Sequence, residues 1–155
     1  MNEINKIRME KLNTIADARA EMLKKQVAAE VAAKNAAVAA LNKILSDDIG
    51  DIHRLYCAYV KATGKYPPEV KTPTGKVTWY SGCHGSKEHP HTQGLAYEVG
   101  GTSTYYHTLR IDGTYKCQTS YGKYYGCGLE ATNAVEFLAG VTAWINRLYA
   151  LIDEL

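Results

Sequence analysis

Nowhere before Gly50 does this sequence contain a glycine or a proline, so the two residues that most readily interrupt a helix are missing from its first third. Long uncharged apolar runs are missing as well. No segment reads as a membrane span, and the opening MNEINKIRMEKLN mixes charges with isolated apolar residues, unlike a secretory signal. Charge of one sign does not dominate: 18 Lys and Arg against 16 Asp and Glu leave a formal net charge of +2. The chain as a whole therefore lacks the signature of a polyanion or bilayer binder. Neither a P-loop nor a G-x-G-x-x-G fingerprint occurs, which excludes phosphate binding by those devices. Cysteine is sparse. Cys57, Cys83, Cys117 and Cys127, in a chain with no recognisable export signal, are expected as reduced thiols in the cytoplasm.

What is present divides into three zones. Residues 3–45 are rich in Ala, Lys, Glu, Gln, Leu and Met and read as one long helix. Leu23, Val27, Val31, Val38, Leu41 and Leu45 recur at helical spacing on one stripe, which Lys34 interrupts. Alanine between them buries little surface per position, so this helix needs partners. Ser46-Asp47-Asp48 has the composition of an N-cap, predicting a break and a second helix to about Thr63 that buries Ile49, Ile52, Tyr56, Tyr59 and Val60. Gly64 and Pro67-Pro68 then end helical geometry, and residues 64–75 read as a linker.

From Lys76 to Tyr125 the composition changes to Gly, Thr, Tyr and short alternating runs, predicting four strands near residues 76–81, 95–99, 104–111 and 115–121. The last two meet across Asp112-Gly113, a hairpin signal. A two-residue turn would mix apolar and polar side chains on both faces. A three-residue loop with Gly113 as a left-handed bulge pairs Leu109 with Tyr115 and His107 with Cys117, which separates the faces cleanly and is the expected register. Residues 130–153 carry the widest apolar stripe of the chain and read as a core helix. The fold class expected is α+β, with a helical, self-associating region over 1–63 and a small sheet domain with its C-terminal helix over 64–155, the helix 47–63 cooperating with it.

Chemistry-bearing residues concentrate in the middle zone, where Lys and Arg exceed Asp and Glu. In the bulged register Tyr106, Arg110, Lys116 and Gln118 share the polar face of the sheet, with Lys123, Tyr124 and Tyr125 at its end. Aromatic rings stack on bases and cations hold phosphates, so such a face suits nucleic acid or a nucleotide; Tyr and Arg equally suit a partner protein. The expectation is a non-enzymatic, homo-oligomeric binding protein, of the size of an inhibitor or accessory protein, with no membrane partner and no cofactor. The rival is zinc held by Cys83, His84, His89 and His91, whose imidazole and thiolate groups are its preferred ligands although their spacing fits no established finger. His107 opposite Cys117 has the composition of a base and nucleophile but equally that of a core pair. His53 and Cys57, one helical turn apart, are expected to pack in the core.

Overall fold

The computed structural model describes residues 1–81, 93–100, 105–119, 128–129 and 133–155. In chain order they form α1 (Glu3–Lys43), a π-helical turn (Ile44–Asp48), α2 (Ile49–Thr63), β1 (Val70–Lys71), β2 (Gly75–Tyr80), β3 (Gly94–Val99), β4 (Tyr105–Arg110), β5 (Tyr115–Thr119) and α3 (Ala134–Asp153). This is the α+β architecture expected, with one strand more.

The predicted break at Ser46-Asp47-Asp48 does not occur. Asp48 makes no side-chain cap hydrogen bond, and the N–H of Ile49 donates to the carbonyl of Ile44, five residues back. A cap works only where the preceding residue leaves helical geometry. Lys43 and Ile44 stay right-handed helical, and with neither glycine nor proline at hand the extra residue is absorbed as a π turn. Ser46 Oγ instead donates back to the carbonyl of Lys43 at 3.3 Å. The helix does end where expected: Gly64 sits at φ 67°, its N–H donating to the carbonyl of Val60 at 2.8 Å.

The sheet is a five-stranded antiparallel meander in the order β1-β2-β3-β4-β5. β1 falls in the segment read as a linker. Only Val70 and Lys71 pair, with Val77 and Lys76, and two residues are too few for an alternation signal. The β4–β5 hairpin has the bulged register, with Leu109 opposite Tyr115 and His107 opposite Cys117. Gly113 lies at φ 83° and donates its N–H to the carbonyl of Arg110 at 3.0 Å, while Asp112 Oδ1 accepts from the N–H of Thr114 at the same distance.

Two cross-strand rows, Val77-Tyr97-His107-Cys117 and Trp79-Leu95-Leu109-Tyr115, make the inner face. α3 lies against it. Phe137 stacks on Tyr97 at 5.4 Å and Trp144 on Trp79 at 5.9 Å. Gly140 lets the helix approach closely, since a β-carbon there would stand 2.4 Å from Val77 Cγ2. By length and composition α3 could cross a bilayer, but Phe137, Val141, Trp144 and Leu148 on one side of it are buried in the core, which accounts for its apolar stripe. Ala37 and Leu41 of α1 and Ile49, Ile52 and Tyr59 of α2 complete the same core. Every residue from 1 to 33 is exposed, so most of α1 stands clear of it.

Candidate functional site

The other face of the sheet carries the side chains that sequence reasoning singled out. Its rows are Lys76-Glu98-Tyr106-Gln118, Thr78-Ala96-Thr108-Lys116 and Tyr80-Gly94-Arg110. The register places Tyr106, Arg110, Lys116 and Gln118 together as expected, but not in solvent. Arg110 and Gln118 are each 7% exposed and Thr108 2%; Tyr106 and Lys116 are half-buried. Alternation tells which side of a sheet a residue faces, not whether that side is covered. Here Thr108, Arg110 and Gln118 are covered on this side too, while Tyr80, Tyr106 and Lys116 keep part of their surface exposed. Gln118 Nε2 donates to Tyr80 Oη at 3.2 Å, and Tyr80 stacks on Tyr106 at 5.7 Å. At the β1–β2 edge the expected basic character is offset, because Lys76 Nζ lies 3.3 Å from Glu69 and 3.6 Å from Glu98. Those two carboxylates raise its pKa, the Glu69 hydrogen bond first.

Beside this edge is a cavity of about 290 Å³ lined by Lys71, Thr72, Thr74, Gly75, Lys76 and Glu98. Next to it, Thr74 Oγ1 and Tyr97 Oη both hydrogen-bond Glu136 Oε2, the tyrosine at 3.0 Å. These groups satisfy one another. Their arrangement ties the β1–β2 turn, β3 and α3 together and leaves no nucleophile with a base. Sequence reasoning missed this cluster, since its three members lie on separate elements and carry no common spacing.

No family model matches the chain, and comparison with curated proteins and with solved structures finds no significant match. The site must be read from its own chemistry.

His107 is buried, stacked on Tyr115 at 6.0 Å, with Nδ1 hydrogen-bonded to Tyr115 Oη. Burial lowers its pKa and pushes that of Tyr115 up to about 12. Cys117 is disulfide-bonded. Because Cys57 is free, the partner of Cys117 lies outside the described residues. This corrects the reduced-thiol expectation for Cys117, whose sulfur, engaged in a disulfide, is no nucleophile for His107. Of the helical pair expected to pack in the core, Cys57 is instead on the surface, while His53 is half-buried.

The proposed zinc ligands Cys83, His84, His89 and His91 lie outside the described residues, as do Lys123, Tyr124 and Tyr125. Among the described residues no group of three or more His, Cys, Asp or Glu could hold a metal.

Proposed function

We propose that this chain is a non-enzymatic binding protein that assembles through α1 and carries its ligand contacts on the α+β head. The observation that carries this reading is the state of α1. Its first 30 or so residues are wholly exposed, yet Ile4, Ile7, Leu12, Ile15, Met22 and Val27 are each 55–65% exposed and Val31 52%. Burying a large aliphatic side chain stabilises by roughly 1.5–3 kcal/mol, and most helical stability in proteins comes from packing an apolar face rather than from propensity. The stripe is continuous with one that the head already buries: Val38, Leu41 and Leu45 pack into the core, and Leu23, Val27 and Val31 extend the same line outward.

The helix suits its own copies. Acids and bases alternate along it, and pairs such as Lys6–Glu3 at 3.0 Å and Lys24–Glu21 at 3.8 Å close within the helix. A surface of mixed sign repels neither itself nor a parallel neighbour, whereas an anionic bilayer or nucleic acid would favour one sign. On the head, the stacked Tyr80 and Tyr106, with Lys116 one row away, favour a flat anionic ligand of the nucleotide or single-stranded nucleic-acid class. Gln118, on the same face, holds the Tyr80 end of this ledge through its hydrogen bond to Oη.

Sedimentation equilibrium and oligonucleotide binding test both halves. The wild-type chain should be oligomeric, and Val27→Glu with Val31→Glu should shift it toward monomer without moving the melting of the head. Tyr106→Ala should weaken binding roughly tenfold, the value of one lost base stack. A monomeric wild-type chain refutes the assembly. Binding indifferent to Tyr106 moves the ligand contacts elsewhere.

A further inference from the structure

α2 carries a second constellation that the sheet reading does not use. Cys57 is free and exposed, and its Sγ lies 3.3 Å from His53 Nε2, one turn earlier on the same helix. The imidazole is held in place. It lies flat on Trp79, with ring centres 5.6 Å apart and planes 15° from parallel. Trp79 is itself fixed by Tyr56 at 4.5 Å and by the buried Trp144. Gln93 supports the arrangement: its Oε1 accepts from Trp79 Nε1 at 3.4 Å, and its side chain interacts with His53. Arg54 and Lys61 stand three residues before and four after Cys57, on its side of the helix. The acid in this turn, Asp51, is ion-paired with Arg54.

A reactive cysteine needs a base within hydrogen-bond reach, a group that orients the base, and a partly exposed, electropositive setting. All three are here. We propose that Cys57 and His53 form an activated thiol–imidazole pair, making Cys57 a site of thiol–disulfide exchange with low-molecular-weight disulfides. His53 Nε2 takes the proton from Cys57 Sγ, and the thiolate attacks one sulfur of the disulfide. The Sγ–S bond forms as the S–S bond breaks, and the departing thiolate takes the proton from the imidazolium. The two electrons that Cys57 gives up reduce the departing sulfur, so the step balances without a further reagent. Burial and the neighbouring Arg54 lower the pKa of His53, which favours the neutral ring that the step starts from, although it makes that ring a weaker base. Cys117 is already in a disulfide, so among the described residues no second thiol stands ready to resolve the product.

The experiment follows reaction of the intact chain with 4,4′-dithiodipyridine at neutral pH, locating the modified cysteine by peptide mass. Cys57 should react at least tenfold faster than N-acetylcysteine, and His53→Gln should remove most of that excess, a modest share of what general-base assistance supplies. Cys57→Ser should abolish the fast phase. Equal rates for Cys57 and N-acetylcysteine, or a fast phase indifferent to His53→Gln or located on another cysteine, would overturn the proposal. Should His53→Gln fold poorly, the comparison of the wild-type chain with N-acetylcysteine still decides. Sedimentation and oligonucleotide binding are separate readouts, so this result does not depend on theirs.

Discussion

His107 is the buried imidazole of the inner sheet face, and its pKa is lowered because the interior disfavours its charged form. A ring whose folded pKa lies below the ordinary 6.5 binds its proton more readily in the unfolded chain. Stability is therefore fully present above that ordinary value and declines as pH falls through it. Melting temperature should drop as pH is lowered from about 8 to about 5, the range that brackets the reference value. His107→Gln should flatten the slope and leave a smaller one of the same sign from His53, whose pKa is lowered as well. A slope equal in both proteins would mean that the proton binds elsewhere. Gly140 gives a second test at this scale. Its missing side chain lets Val77, which is 0% exposed, sit against α3. Overpacking costs about 1–3 kcal/mol and the gain in helix propensity returns about 1 kcal/mol, so Gly140→Ala should lower stability by roughly 1 kcal/mol in urea unfolding. A stabilised Gly140→Ala chain would contradict the close approach.

Elements were legible in the sequence to the degree that each obeyed one local rule. The bulged hairpin followed from Asp112-Gly113 and the need to segregate Leu109 and Tyr115 from Arg110 and Lys116, and its register is the one observed. Helix α3 followed from its apolar period, although the buried line runs through Phe137, Val141, Trp144 and Leu148 while Leu155 is 75% exposed. The features that escaped depend on more than neighbours in sequence. The pairing of β1 is too short to leave a pattern, the covered state of Arg110 and Gln118 is a property of what lies over the sheet, and the bond made by Cys117 follows from no periodic spacing. The exposure of Cys57 escaped for the opposite reason. A helical period places it on a face but cannot say that this face has no neighbour.

For the molecule as a whole, two bodies of different character share one helix. A head with one core, drawing on α1, α2, α3 and the sheet, carries a projecting rod of roughly 45–50 Å, at 1.5 Å per residue over its exposed length. The rod is what the proposed assembly uses, and the head is what it presents. Gathering several heads raises the local concentration of their ledges, so a weak contact at each becomes a strong one for a ligand long enough to reach two. The head alone could be read as a small α+β domain. What such a domain does not account for is the row of exposed apolar residues along α1.

The π turn at Ile44–Asp48 lies within the head, between Leu41 and Ile49, both buried in its core, and it works there as a phase adjustment. Eight positions of plain α-helix at about 100° each would leave these two side chains about 80° apart. The wider turn takes up the extra residue and returns them to one side, so a single unbroken helix serves one core before and after it. Removing Ser46 should let plain α-helical winding keep that alignment, with the melting of the head little changed, whereas an alanine inserted after Ser46 should throw Ile49 and Ile52 out of phase and lower it. A deletion and an insertion of equal effect on thermal unfolding would show that the extra residue sets no angle.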